Sequence, residues 1–269
     1  MSNTQEDRWA LVTGASAGIG AAFARELAAR GHSLVLTARR LDRLEALAKE
    51  LTTKHAIRAE CIAADLGGAE APAALCSEIA RRGIAIDVLV NNAGYGVTGK
   101  FPSQPWLVHA QFLRVLVEAP CELAHRLLPA MQQRGYGRIM NIASLAGLIP
   151  GSAGHTLYAA SNAFLVKFSQ SLALENVDTG VKVCAVCPGF TYSEFHDVTG
   201  TRDQVSRMPR WMWMSADEVA RAGIDATERG EIVYVTGRVN RIIKALAKLI
   251  PDRTALRIVQ QRSKDFRRQ

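Results

Sequence analysis

The stretch Thr13-Gly14-Ala15-Ser16-Ala17-Gly18-Ile19-Gly20 separates an apolar run, residues 9–12, from a helical pattern. A glycine turn that leads from a strand into a helix leaves the first N–H groups of the helix unpaired, and such groups bind phosphate. Gly14 allows the tight exit from the strand, Gly18 lets a pyrophosphate approach the backbone, and Gly20 lets the helix pack closely on a sheet. The alternative is that the glycines only form a turn. The residues expected to contact phosphate are Gly14, Ser16, Gly18, Ile19 and Gly20.

Strand and helix patterns alternate along the chain after this turn. The predicted strands cover residues 9–12, 33–37, 57–63, 87–90, 138–143, 181–187 and 232–235, and the predicted helices cover residues 21–30, 41–51, 69–81, 107–134 and 157–177. Helices between successive strands require parallel pairing with right-handed crossovers. The pattern predicts an α/β fold of the Rossmann type, a doubly wound parallel sheet between two helical layers. Ligands of such sheets bind at the carboxyl ends of the strands.

Length and composition are those of an ordinary globular protein. The 269 residues, 48% hydrophobic and 22% charged, predict one dinucleotide-binding and catalytic domain over 1–236 and a basic helical extension over 237–269. The chain has no apolar run of about 18 residues, so no transmembrane segment is expected. The polar start resembles no secretory signal, and the five cysteines suit reduced core thiols, so we expect a cytoplasmic protein without a metal site.

The net charge of +8 is concentrated in the last part of the chain. From Arg238 onward there are ten Lys or Arg against two Asp, which leaves 23 basic and 23 acidic residues in the rest. A neutral body gives no indication of a nucleic-acid groove. The apolar residues of the basic extension recur at helical spacing at Val239, Ile242, Ile243, Leu246 and Leu249. This pattern favours a helix that covers the protein's own apolar surface, with peripheral contact to an acidic membrane as the alternative.

The end of the second predicted strand indicates which dinucleotide is bound. It reads Leu36-Thr37-Ala38-Arg39-Arg40, with Ala38 where an NAD site usually places a carboxylate for the ribose 2′-hydroxyl. Arg39 and Arg40 offer forked cations suited to a 2′-phosphate. We therefore predict NADP, with two solvated arginines as the alternative interpretation.

Five motifs in this order resemble the short-chain dehydrogenase/reductase family, in its main single-domain subfamily. They are the stretch 13–20, Asn91-Asn92-Ala93-Gly94, Asn141-Ile142-Ala143-Ser144, Tyr158-Ala159-Ala160-Ser161-Asn162 and Pro188-Gly189, and the resemblance covers roughly residues 8–236. It implies hydride transfer between NADP(H) and a carbonyl or alcohol. Ser144 would then hydrogen-bond the substrate oxygen, and Tyr158 would donate or accept its proton.

The resemblance also implies which residues hold the rest of the cofactor. Asp65 and Leu66 would lie at the adenine, and Asn91, Asn92, Ala93 and Gly94 would line the adenosine side. The residues expected at the nicotinamide end are Pro188, Gly189, Thr191 and Ser193.

Two positions depart from the family's pattern. The family motif is Tyr-x-x-x-Lys, and Asn162 stands at the lysine position, where it can bind the nicotinamide ribose but cannot lower the Tyr158 pKa by charge. Leu116 stands where the family usually carries a helix-kinking asparagine. These changes leave two hypotheses: an oxidoreductase with weakened acid–base chemistry, or a non-catalytic NADP-binding relative that acts as a sensor or structural protein.

The irregular segment 190–215 is expected to cover the substrate. It is rich in aromatic and methionine side chains, which predicts a hydrophobic carbonyl or alcohol as the substrate, although Trp211-Met212-Trp213-Met214 can equally pack against the next helix. Relatives of the family associate through the helices that correspond to 107–134 and 157–177. A homodimer or homotetramer is therefore expected.

Overall fold

The computed structural model describes residues 8–194 and 208–263. Seven parallel strands form the central sheet in the order β3-β2-β1-β4-β5-β6-β9. The strands are β1 (Trp9–Thr13), β2 (Ser33–Ala38), β3 (Ala59–Ala63), β4 (Ile86–Asn91), β5 (Gly137–Ile142), β6 (Val181–Cys187), β7 (Thr191–Tyr192), β8 (Met214–Ser215) and β9 (Val233–Val235). β7 and β8 pair with each other in a separate small sheet. The predicted doubly wound parallel sheet is confirmed.

Helices cover both faces of the sheet. They are α1 (Gly18–Ala29), α2 (Leu41–His55), α3 (Ala71–Arg81), α4 (Trp106–Leu113), α5 (Ala119–Gln133), α6 (Thr156–Glu175), α7 (Ala216–Glu228), α8 (Arg238–Leu249) and α9 (Asp252–Ser263). Side chains of a strand point alternately to the two faces, so Val12 packs with α1, α2 and α7 and Leu11 packs with α3, α5 and α6. The two resulting cores enclose the sheet, which explains why its strands are almost continuously apolar.

The helix predicted over 107–134 is divided into α4 and α5. A π-helical turn, Arg114–Glu118, joins them, and the Ala119 N–H donates to the carbonyl of Arg114, five residues back. Pro120 has no N–H to offer the Leu116 carbonyl, which removes one regular helical hydrogen bond at this point. The interruption begins at Arg114, ahead of Pro120 in the chain.

Other features of the fold bear on where ligands can bind. Within the described ranges, no helix is both long and apolar enough to span a bilayer, and no three His, Cys, Asp or Glu side chains are grouped to hold a metal ion. A cavity of about 210 Å³ lies at the amino ends of the strands, away from the glycine turn. There the guanidinium groups of Arg8 and Arg138 lie 3.7 and 4.2 Å from the Tyr136 ring centre, in a cation–π cluster.

Candidate active site

The glycine turn opens α1 three residues earlier than the sequence predicts. Helix α1 begins at Gly18, its N-cap residue Ala17 makes no side-chain capping hydrogen bond, and its first turn has no acidic residue. The N–H groups and the positive dipole end of the helix are thus left for a ligand. This arrangement fits a pyrophosphate.

Close packing explains two of the glycines. Gly14 has a positive φ of 65°, and a Cβ there would lie 2.9 Å from the Ala93 Cα. A Cβ on Gly20 would fall on the Gly14 carbonyl oxygen and on the Asn92 side chain. The turn therefore packs directly against the segment that follows β4.

Thr13 and Asn92 fix this contact with hydrogen bonds. The Thr13 hydroxyl donates to the Val90 carbonyl at 3.2 Å and accepts from the N–H groups of Asn92 and Ala93 at 2.9 and 3.0 Å. The Asn92 amide donates back to the Thr13 carbonyl at 3.0 Å. The ends of β1 and β4 are held together, so residues 91–94 lie beside the glycine turn. The structural role of Thr13 is not evident from the sequence alone.

Of the arginines after β2, Arg40 and Arg43 form ion pairs, and Arg39 is exposed. Arg40 donates to the Ser16 hydroxyl at 3.2 Å and to the Glu194 carboxylate at 3.3 Å, and Arg43 donates to the same carboxylate at 2.7 Å. Arg43, with a smaller contribution from Arg40, lowers the pKa of Glu194. Arg43 and Glu194 could not be predicted from the sequence, because only the tertiary fold brings them together.

The predicted adenine residues lie at the end of β3. Asp65 is exposed and its carboxylate accepts from the Gly67 N–H at 3.0 Å, whereas Leu66 is buried. Burial raises the pKa of the Tyr95 phenol, and the charges of Arg39 and Asp65 act on it with opposite sign. Arg39 and Asp65 thus share one neighbourhood, the predicted adenosine side.

Ser144 and Tyr158 form the polar centre of the candidate site at the carboxyl ends of the strands. Ser144 caps a short 3₁₀ turn, Leu145–Gly147, and its hydroxyl accepts from the Ala146 N–H at 3.1 Å. Tyr158 lies in the first turn of α6 and is hydrogen-bonded to Ser144. Burial raises the pKa of the Tyr158 phenol, and the smaller effect of the Ser144 hydrogen bond lowers it. The phenol is therefore protonated at neutral pH.

Asn162 and Leu116 bring no charge to this centre. The Asn162 side chain is buried and donates to the Tyr158 carbonyl at 2.7 Å, one turn back in α6. Leu116 is buried in the π-helical turn, and its side chain lies 3.8 Å from the place of a Cβ on Gly94. Neither residue supplies a cation that would favour the phenolate of Tyr158.

The segment after β6, residues 188–193, contacts two other parts of the candidate site. The Pro188 carbonyl accepts from the Leu145 N–H at 2.8 Å. A Cβ on Gly189 would lie 2.5 Å from the side-chain amide of Asn240, and a Cβ on Gly18 would lie 3.1 Å from the Ser193 Cβ. The predicted nicotinamide segment, which includes Thr191 in β7, therefore touches both the Ser144 turn and the glycine turn. Asn240 in α8 supports it and was missed, because no local pattern marks it.

Aromatic side chains line the rim beside this segment. The Trp213 ring lies 5.4 Å from the Phe190 ring and 4.7 Å from the Tyr192 ring, measured between centres. Residues 195–207 of the predicted substrate cover, Phe195 among them, lie outside the described residues. The described part contains a cluster of three aromatic rings, Phe190, Tyr192 and Trp213.

A buried polar chain underlies the site. Asn91 donates to the Pro120 carbonyl at 3.2 Å and to the Asn141 side chain at 2.9 Å, and Asn141 donates to Ser169 at 2.8 Å. Ser169 in turn donates to the Leu165 carbonyl at 2.7 Å. Asn91 is thus engaged within the sheet. Polar residues inside apolar strands are the sequence signal for such a chain.

Comparison with known proteins agrees with this geometry. Residues 8–203 match the family model described as short chain dehydrogenase. A short-chain dehydrogenase from Sphingobium yanoikuyae in complex with NADPH is 32% identical, with a TM-score of 0.79 over 91% of this chain and 97% of that one. The bulky-bulky ketone specific alcohol dehydrogenase from Comamonas testosteroni is 32% identical, with a TM-score of 0.74 over 91% and 95%.

One further relative is larger than this chain. The very-long-chain 3-oxoacyl-CoA reductase of Anas platyrhynchos is 34% identical over 201 residues, which make up 71% of this chain and 62% of that protein.

Proposed function

The chain belongs to the short-chain dehydrogenase family, and from that premise we propose that it is an NADP(H)-dependent reductase of hydrophobic carbonyl compounds. The observation that carries the proposal is the hydrogen-bonded pair of Ser144 and Tyr158 beside an uncapped, glycine-lined helix N-terminus. The bound cofactor would supply or accept a hydride. The chain's own residues bind the phosphates, orient the carbonyl and hold the proton.

The protonation state of Tyr158 favours reduction over oxidation. Hydride delivery to a carbonyl builds negative charge on its oxygen, and a hydroxyl donor together with a proton source stabilises that charge. Ser144 is placed to donate to the oxygen, and Tyr158 holds a proton at neutral pH, with its pKa moved further above neutral by burial. Alcohol oxidation requires the phenolate, and among the described residues no charged group acts on the Tyr158 pKa to stabilise it.

We infer that Asn162, at the family's lysine position, has a positioning role. Its amide already donates to the Tyr158 carbonyl, which fixes the first turn of α6, and its side-chain oxygen is chemically suited to accept from a ribose hydroxyl. Asn162 cannot replace the charge of a lysine. The same lack of charge, with apolar Leu116 in the π-helical turn, is the observation that favours the second candidate function, an NADP-binding protein without catalysis.

The arginines after β2 support NADP(H) as the cofactor. Arg40 contacts Ser16 of the glycine turn, and Arg43 lies on the same carboxylate as Arg40. Guanidinium groups bind a phosphate in a forked geometry, and a 2′-phosphate would compete with Glu194 for them. Arg39 is exposed next to Arg40. Among the described residues it forms no ion pair, whereas Arg40 and Arg43 both pair with Glu194.

The rim supports an apolar substrate. Phe190, Tyr192 and Trp213 form one aromatic cluster on the segment that touches the Ser144 turn. Aromatic walls with a few polar groups are typical of sites for apolar ligands. The relatives named for bulky ketones and for very-long-chain 3-oxoacyl-CoA are consistent with this class.

We also propose that the chain forms a homodimer or homotetramer through α4 and α6. Trp106 and Leu107 on α4 and Phe164 on α6 are exposed large apolar side chains. Light scattering of the purified protein is expected to show more than one subunit, and the exchange Phe164→Glu is expected to lower the measured mass. A monomeric wild-type protein would contradict this part of the proposal.

The test is an NADPH oxidation assay with a panel of bulky ketones and aldehydes. Tyr158→Phe and Ser144→Ala are each expected to lower kcat by about a hundredfold or more, because they remove the proton source or a donor to the oxygen. NADPH binding, followed by its fluorescence, should persist in both variants. Tight NADPH binding without turnover of any compound would instead establish the non-catalytic function.

A further inference from the structure

Helix α8 has two apolar faces, and only one of them packs against the protein. Ile243 packs against the small core around Leu165 and Val235, and Asn240 is buried against Gly189. The other face carries Ile242, Leu246 and Leu249, whose exposed fractions are 59%, 54% and 79%. We call these three residues the α8 stripe. The helix therefore covers the protein's own surface with only part of its apolar residues.

Exposed cations lie along one side of the α8 stripe. Arg238, Arg241 and Lys248 are exposed, and none of them forms an ion pair within the part of the chain that the structure describes. The next helix, α9, continues the pattern with exposed Leu256 and Ile258 next to Arg253 and Arg257. Residues 238–269 contain ten Lys or Arg and two Asp in all, and the rest of the chain is neutral.

We propose that the α8 stripe and its cations form a docking surface for an anionic lipid bilayer. A helix with an apolar stripe and flanking Lys and Arg lies in the bilayer interface, where apolar side chains enter the acyl region and cations meet the lipid phosphates. A second copy of the chain is a poor occupant, because pairing two such surfaces would bring like charges together. An acidic protein surface would pair with the cations, but it would leave the apolar side chains of the α8 stripe without an apolar partner.

Docking through α8 would place the bilayer near the rim of the crevice. A Cβ on Gly237, directly before α8, would lie 2.8 Å from the Met214 sulfur in β8, and Asn240 supports Gly189. The start of α8 is thus fixed to the strands that border the proposed substrate site. The link between docking and the substrate site rests on the proposed function. It implies that the carbonyl substrate partitions into the lipid bilayer.

Vesicle co-sedimentation of the full chain, without cofactor or substrate, tests the docking surface. The wild-type protein is expected to bind phosphatidylcholine vesicles that contain phosphatidylglycerol and to bind vesicles of phosphatidylcholine alone weakly. Added salt is expected to release it, because salt screens the attraction to the lipid phosphates. Leu249→Glu is expected to lower the bound fraction on the order of tenfold, since it removes an apolar contact and adds a repelled charge.

Val177→Glu is the matched control. Val177 lies after α6 with an exposed fraction of 72%, so the exchange adds the same charge at an equally exposed apolar site away from α8. It should leave vesicle binding unchanged. Three outcomes would each overturn the proposal. They are an equal loss of vesicle binding in both variants, no binding to anionic vesicles at low salt, and self-association of the protein that Leu249→Glu abolishes. Because no turnover is measured, these outcomes are independent of whether the protein is a reductase.

Discussion

Gly147 lies directly on the backbone of Asn162: a Cβ on Gly147 would be 2.6 Å from the Asn162 carbonyl carbon. Real Cβ atoms do not approach backbone atoms so closely, so only glycine allows this contact. It presses the turn capped by Ser144 against the helix that carries Tyr158. We infer that this contact positions Ser144 relative to Tyr158.

Gly147→Ala is therefore expected to separate Ser144 from Tyr158. A displacement of about 1 Å at reacting groups costs on the order of a hundredfold in rate. We expect a loss of that size in kcat for ketone reduction, with the affinity for NADPH less affected. Gly151→Ala is the control, because a Cβ on Gly151 meets nothing within 4 Å. Similar rates for the two variants would show that the contact does not position the pair.

The raised pKa of Tyr158 predicts opposite pH dependences for the two directions of the reaction. Reduction uses the protonated phenol, so it should persist through neutral pH and decline only above the phenol's raised pKa. Oxidation uses the phenolate and should rise with pH across the same range. Initial rates in both directions against pH measure this difference, and a rate of oxidation that is flat from neutral to alkaline pH would contradict it.

Asn162→Lys is expected to shift the oxidation profile to lower pH. An ammonium beside the phenol stabilises the phenolate, and a pKa lowered by one to two units raises the rate at neutral pH by roughly ten- to a hundredfold. Asn162→Ala is the uncharged control, which removes the hydrogen bond to the Tyr158 carbonyl and should not shift the profile. Circular dichroism would verify that the buried lysine leaves the fold intact.

Glu194→Gln is expected to strengthen NADPH binding. The carboxylate pairs with Arg40 and Arg43, so its neutralisation would free both guanidinium groups for a 2′-phosphate. Because these ion pairs are partly exposed, their release is worth only about threefold in Kd. NADH, which lacks this phosphate, should bind as before. Glu45→Gln on α2 is a matched loss of an exposed carboxylate, and an equal gain in that variant would point to net charge alone.

Asn141→Ala is expected to reduce stability strongly. Asn141 is fully buried, accepts from Asn91 at 2.9 Å and donates to Ser169 at 2.8 Å. Its removal takes one hydrogen-bond partner from Asn91 and one from Ser169 inside the core and leaves a cavity, which costs about 2–4 kcal/mol in the free energy of unfolding. Urea denaturation measures this loss. Ser169→Ala removes one partner only and should cost less, and the reverse order would contradict the proposed chain.

The sequence was sufficient for the sheet and for the groups at its carboxyl edge. Periodicity and glycine turns are local signals, and parallel strands place successive strand ends side by side, so the sheet and the edge that carries the glycine turn could be predicted. The pairing of Ser144 with Tyr158 was implied only by the family resemblance. The pair Arg40 and Glu194 is 154 residues apart in sequence, and such contacts leave no local pattern. Gly147 and Asn240 were missed for the same reason, because their roles are contacts with distant backbone.

The position of β1 between β2 and β4 affects how the sheet is assembled during synthesis on the ribosome. β2 and β3 are added in turn on one side of β1, and β4, β5 and β6 are then added in turn on the other side. The last strand, β9, pairs with β6 only after the rim segment and α7 have emerged. Until then the edge of β6 is open, so nascent chains that stall before β9 are expected to aggregate or to recruit chaperones.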